Sequence, residues 1–130
     1  MTKINVELSI FGDHFDTEEL TNILGVLPTS TSSKGDIIRE NLTYKETSWN
    51  YSTGLTESWH FDEIMEIIIR RFENKEHLIA SYAQEHNLES KIFAVIEIEK
   101  DRAPSIVLDR RIIGFSTAID AIFDIDTYVL

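Results

Sequence analysis

Two stretches of the chain alternate between apolar and polar side chains, which is the pattern of half-buried β-strands. In residues 3–10 the apolar set is Ile4, Val6, Leu8 and Ile10. In residues 91–99 it is Ile92, Ala94, Ile96 and Ile98. The second stretch is apolar on both sides at its start, so we expect that strand to be central in a sheet.

Three other regions predict helices. Asp16 is placed as an N-cap, Glu19 three residues later completes a capping-box pattern, and Gly25 follows the last helical residue, Leu24. From Trp59 to His86 apolar residues recur at helical spacing, which predicts one long helix or two helices broken near Asn74, with Asn87 as the C-terminal cap. A third helix is predicted from Arg110 to about Asp120, with Asp109 as its cap.

The remaining elements are predicted as short strands. They are Ile37 to Thr47, Ser48 to Thr53, Ser105 to Leu108 and Phe123 to Val129. Trp49 and Tyr51 are expected on one face, because side chains two apart in a strand point the same way. The resulting order, β-α-β-β-α-β-β-α-β, predicts a single α+β domain over residues 1–130. We expect a mainly antiparallel sheet with helices packed on one face, beginning with a ferredoxin-like unit.

Composition narrows the possible chemistry. The chain has 130 residues and no cysteine, which excludes disulfides and thiolate metal sites. No basic region followed by a long apolar run begins the sequence, and no apolar run reaches the roughly 20 residues of a membrane helix. We therefore expect a cytoplasmic protein that does not bind membranes.

The formal net charge is −11, from 23 acidic and 12 basic residues. A field of this sign repels nucleic acid and attracts basic proteins. Two interpretations remain open at this point. The charge serves solubility alone, or an acidic face captures a basic partner.

Three segments carry a resemblance to a known family. They are FGDHFDTEELTNILGVLPTSTSSKGD (residues 11–36), WNYSTG (49–54) and IEIEKDRAPSIVLDRRIIGFSTAIDAIFDIDTYVL (96–130). Together they resemble the bacterial domain-of-unknown-function 4279 family. The resemblance implies a small bacterial α+β domain, usually alone in its chain. It implies no reaction, cofactor or catalytic residue.

The candidate metal ligands have structural explanations. Asp13, His14 and Asp16 are close in sequence, but Asp16 already serves as a helix cap. Asp120, Asp124 and Asp126 superficially resemble a calcium loop, but their spacing lacks the central glycine and the terminal glutamate, and the region is predicted as strand. No catalytic sequence motif is present. We predict no metal, no cofactor and no enzymatic activity.

Two functions remain as hypotheses. The first is a non-catalytic acidic interaction protein, in its sharpest form an immunity protein that blocks a basic, nuclease-like toxin. Its candidate partner-binding residues are Asp13, Asp16, Glu18, Glu19, Asp124 and Asp126. The alternative is a small-molecule or peptide-binding module with a pocket formed by Trp49, Ser52, Trp59 and His60. The sequence leaves the oligomeric state open.

Overall fold

The computed structural model describes all residues from Met1 to Leu130, in eight strands and four helices. The strands are β1 (Lys3–Gly12), β2 (Ser30–Ser32), β3 (Ile37–Arg39), β4 (Leu42–Thr43), β5 (Thr47–Ser52), β6 (Thr56–Glu57), β7 (Glu89–Ile98) and β8 (Ala121–Val129). The helices are α1 (Thr17–Leu24), α2 (Phe61–Arg71), α3 (Glu76–Glu85) and α4 (Arg110–Ala118).

Six strands form one sheet in the order β2-β5-β1-β7-β8, and β6 pairs with β1 beyond the end of β5. All neighbours are antiparallel except β7 and β8, which are parallel and are connected through α4. Strands β3 and β4 form a separate hairpin. The prediction of an α+β fold with a mostly antiparallel sheet is confirmed, as is the central position of β7.

One face of this sheet is buried beneath the helices. Four side chains of β1 have no exposed area: Ile4, Val6, Leu8 and Ile10. They belong to a single core cluster to which β7 and all four helices contribute. The opposite side of the sheet, which we call the open face, is formed by the alternate residues of β5, β1, β7 and β8. These are Ser48, Asn50, Ser52, Asn5, Glu7, Ser9, Lys91, Phe93, Val95, Glu97, Ile122, Asp124, Asp126 and Tyr128.

The predicted helix boundaries agree with local backbone chemistry. Asp16 caps α1, because its carboxylate accepts hydrogen bonds from the backbone N–H groups of Glu18 and Glu19 at 3.0 and 3.2 Å. Gly25 ends α1 with φ of 67°, a left-handed conformation that glycine adopts without steric cost. The region after Trp59 forms two helices, and the break includes Asn74 at φ of 64°.

Three details differ from the expectation. The strand predicted over residues 37–47 is replaced by the β3–β4 hairpin at residues 37–43, because Asn41 turns the chain with φ of 61°, and Thr47 begins β5. Residues 105–108 make no strand, since only Ser105 bridges to His60 and no neighbouring strand is available to the rest. The ferredoxin-like arrangement is present, since β2, β5, β1 and β7 are antiparallel neighbours in that order, but its second strand is β2 and not residues 37–47.

The two faces of β1 predict unequal costs of mutation. Leu8→Ala should lower the free energy of unfolding by about 2–5 kcal/mol, because it leaves a cavity in the core. Ser9→Ala, one residue later on the open face, removes a hydrogen bond to Asn50 Oδ1 of 2.6 Å and should cost about 0.5–1.5 kcal/mol. Urea unfolding monitored by circular dichroism measures both values. Equal costs would show that the open face is packed like the core.

Candidate partner-binding surface

The turn between β1 and α1 brings four of the predicted partner-binding residues to one end of the molecule. Asp13 lies in this turn, and Asp16, Glu18 and Glu19 lie at or within the first turn of α1. Asp13 Oδ1 is 3.0 Å from Lys34 Nζ, and this hydrogen bond and charge hold the pKa of Asp13 below its ordinary value. The other three carboxylates have no lysine or arginine within 4.0 Å.

Packing of α3 against α1 adds a fifth carboxylate, Glu85, to this end. Tyr82 of α3 is buried, and its hydroxyl donates to the backbone oxygen of Asp16 at 3.4 Å. Burial raises the pKa of Tyr82 to about 12, and the negative charges of Glu19, Asp16 and Glu85 add to the increase. We call Asp13, Asp16, Glu18, Glu19 and Glu85 the acidic rim. Three of these carboxylates, Glu19, Asp16 and Glu85, raise the pKa of the same phenol.

Most of the negative charge of the protein is not neutralised locally. Only five of the 23 acidic side chains have a cationic partner within 4.0 Å: Asp13, Glu19, Glu66, Glu99 and Asp124. The partner of Glu19 is His86 at 3.8 Å, and that imidazole carries charge only when protonated. Much of the acidic surface is therefore available to an external cationic group.

Asp124 and Asp126 lie apart from the acidic rim, on the open face of β8. Their neighbours in β7 are Phe93 and Val95. Asp124 Oδ2 is 2.9 Å from Lys91 Nζ, whereas Asp126 has no cationic partner within 4.0 Å. The structure thus separates the six predicted residues into a group of four at the rim and a pair on the sheet.

Sequence reasoning missed two acidic residues of these surfaces. Glu7 faces the open side of β1, opposite Phe93, and burial raises its pKa. The alternation of residues 3–10 already placed Glu7 on the polar side, so that pattern contained the signal. No sequence pattern placed Glu85 near Asp16, because their proximity around Tyr82 depends on the packing of two helices that are distant in sequence.

The polar side chains of β1 and β5 on the open face hydrogen-bond to one another. Ser9 Oγ donates to Asn50 Oδ1 at 2.6 Å, and Ser52 Oγ donates to Asn5 Oδ1 at 2.7 Å. Asn50 Nδ2 in turn donates to Ser48 Oγ at 3.0 Å. Much of the hydrogen-bonding capacity of this half of the open face is used internally.

The four residues predicted to form a pocket are not brought together. Trp49 is fully buried, and its Nε1 donates to Thr21 Oγ1 at 2.9 Å. Ser52 projects from the opposite face of β5. Trp49 packs on Phe72, just after the C-terminus of α2, with ring centroids 6.0 Å apart, while His60 precedes the N-terminus of that helix. Eleven helical residues, about 16 Å, separate these ends.

Trp59 instead borders a different surface cavity of about 350 Å³. Its other lining residues are Met1, Glu99, Lys100 and Arg102. The exposed fraction of Trp59 is 37%, and its indole is not part of the core cluster that contains Trp49.

No three His, Cys, Asp or Glu side chains converge with a geometry that could hold a metal ion. The closest sequence cluster is occupied by local contacts, since Asp13 pairs with Lys34 and Asp16 accepts backbone hydrogen bonds. None of the four helices combines the length and the apolar character that crossing a bilayer requires.

Comparison with known proteins agrees with the resemblance carried by residues 11–36 and 49–54. The family model described as a domain of unknown function, DUF4279, matches residues 2–130. The chain belongs to the DUF4279 family. No curated protein and no solved structure matches it. For this DUF4279 domain, functional inference therefore depends on its own surfaces.

Tyr82 offers a direct test of the acidic rim. Absorbance titration near 295 nm of the wild type minus Tyr82→Phe should show a phenol that ionises at about pH 12. The pKa of Tyr82 is higher in the folded state than in the unfolded state. The contribution of Tyr82 to folding stability is therefore complete below its ordinary pKa of 10.0 and is lost as the pH rises towards 12. Glu19→Gln with Glu85→Gln should lower this pKa. A difference titration centred near pH 10, with circular dichroism showing an intact fold, would contradict the assignment.

Proposed function

We propose that this DUF4279 domain is a non-catalytic interaction protein that binds a basic protein partner through the acidic rim. The observation that supports the proposal is the concentration of carboxylates without lysine or arginine partners at that end of the molecule. Asp16, Glu18, Glu19 and Glu85 come from two helices that pack together around Tyr82.

The sharpest form of this function is an immunity protein that covers the active groove of a nuclease toxin. A nuclease needs a basic groove to bind the phosphates of its substrate. An acidic protein is complementary to such a groove, and charges of opposite sign accelerate their association. The net charge of −11 adds long-range attraction to the local contacts.

The partner can be sought among the proteins encoded beside this gene in the source genome. Co-expression with a basic, growth-inhibiting neighbour should restore growth, and the two purified proteins should bind. Raising the salt concentration from about 50 to 300 mM should weaken the affinity at least tenfold, because salt screens exposed charges. Failure of every basic neighbour to bind, or binding that salt does not weaken, would contradict the proposal.

Two double variants locate the binding surface. Glu18→Gln with Glu85→Gln removes two rim charges and should reduce the association rate several-fold. Glu57→Gln with Glu63→Gln is the matched control, since it also removes two exposed carboxylates without salt-bridge partners. Glu18 and Glu63 each lie in the first turn of a helix, so the two variants lose similar helix-dipole interactions.

Surface plasmon resonance with the identified partner measures the association rate of each double variant. The control should associate nearly as fast as the wild type, because Glu57 and Glu63 lie towards the other end of β1. Equal slowing by the two variants would show that only the net charge matters, and that the rim is not the contact surface.

A further inference from the structure

Strand β8 forms a long free edge of the sheet. Its nine residues pair on one side with β7 in an unbroken register from Ala121 to Val129, and no strand pairs with its other side. The opposite edge is β2, which has only three residues. An unpaired strand edge of this length is a template for another extended chain.

The free hydrogen-bonding groups of β8 can be assigned to individual residues. The N–H of Leu130 donates to the carbonyl of Ile98 in β7 at 2.9 Å. Backbone groups alternate in direction along a strand, so the even-numbered residues of β8 face β7. The odd-numbered residues from Phe123 to Val129 therefore direct their N–H and C=O groups away from the sheet.

The charge along this edge favours a basic partner over a second copy of the chain. Residues 112–130 contain no lysine or arginine, and three aspartates: Asp120, Asp124 and Asp126. In an antiparallel pair of β8 strands centred on Ile125, Asp124 of each copy would face Asp126 of the other. Like charges directly opposite one another are destabilising, and each copy also carries a net charge of −11.

An apolar groove of about 320 Å³ lies beside β8 on the helix side of the sheet. It is lined by α4, by Leu108 before it, and by Ala121 and Phe123 of β8. The side chains of Leu108 and Ile113 are 42% and 55% exposed. A strand added to β8 would direct every second side chain towards this groove and the others towards the open face.

We propose that β8 binds an extended basic segment of a protein partner by strand addition. Lysine or arginine at alternate positions faces Asp126, which has no cationic partner within 4.0 Å, and Asp124, which also contacts Lys91, and the intervening apolar side chains enter the groove. The basic character of the partner rests on the proposed function. The new elements are a second binding surface, β8, and a mode of binding, strand addition. If the aspartates only prevented aggregation of the edge, no such segment would bind.

Synthetic peptides test this pairing without knowledge of the partner. The probe is acetyl-Gly-(Lys-Val)₄-Gly-amide, and its control has the same composition with four lysines followed by four valines. The alternating peptide should bind at least tenfold more tightly at low salt, as measured by fluorescence anisotropy or calorimetry. Equal affinities would show charge attraction without strand pairing and would overturn the proposal.

Backbone methylation of the probe separates strand pairing from other binding modes. Only one side of an added strand hydrogen-bonds to β8, so N-methylation of every second residue should block binding for one set and spare it for the other. The blocked set also reveals whether the peptide runs parallel or antiparallel to β8. Equal loss with both sets, or no loss with either, would contradict strand addition.

Variants of the protein complete the test. Thr127→Pro removes an outward N–H that β7 does not use, so the fold should tolerate it at this edge and peptide affinity should fall at least tenfold. Thr127→Ala keeps the N–H and should bind like the wild type. Should Thr127→Pro fail to fold, the methylated peptides still decide the question.

The same variants separate the two proposals. A basic partner that binds Thr127→Pro normally, but binds the Glu18→Gln with Glu85→Gln variant slowly, would overturn strand addition and leave the acidic rim as its site. Peptide binding that depends on the Thr127 N–H, with no basic protein bound by the rim, would overturn the proposed function alone.

Discussion

Burial of a single face of β1 is the constraint on which the rest of the structure depends. The inward side chains of this strand have no exposed area, and all four helices pack on that side of the sheet. The other side therefore has no helical cover. Its residues must tolerate water, which explains the serine, asparagine and carboxylate side chains there. The open face follows directly from this one-sided packing.

The distribution of charge lowers the stability of the free protein and would favour binding of a basic partner. Most carboxylates lack a cationic partner, and mutual repulsion among them opposes the compact state. The acidic rim places several of them around the buried Tyr82, where the neutral phenol is favoured. A basic partner would relieve this repulsion on binding, so the same carboxylates would weaken the free protein and strengthen a complex.

Elements with local signals could be predicted from the sequence. Strand β1, the Asp16 cap, the Gly25 terminus and the break near Asn74 all depend on residues close to one another in the chain. Other features depend on distant contacts. The parallel pairing of β8 with β7 and the position of β6 beside β1 needed knowledge of which strands become neighbours.

Some residues of the candidate surfaces could likewise be predicted from local sequence, whereas others depend on contacts between distant parts of the chain. Asp16 and Glu18 share one turn of helix, so their proximity could be read from the sequence. Glu85 joins them only because α3 packs on α1, with Tyr82 and Asp16 separated by 66 positions. Trp49 and His60 are close in sequence, yet α2 holds them at opposite ends.

Amide hydrogen exchange in β8, measured by NMR in the free protein and with a basic partner, tests the central claim most directly. In the free protein the amides of Asp124 and Asp126 should exchange slowly, because they bond to β7, and those of Ile125 and Thr127 should exchange fast. The partner should slow the second pair. Slow exchange of all four amides in the free protein, or no change on binding, would contradict the account.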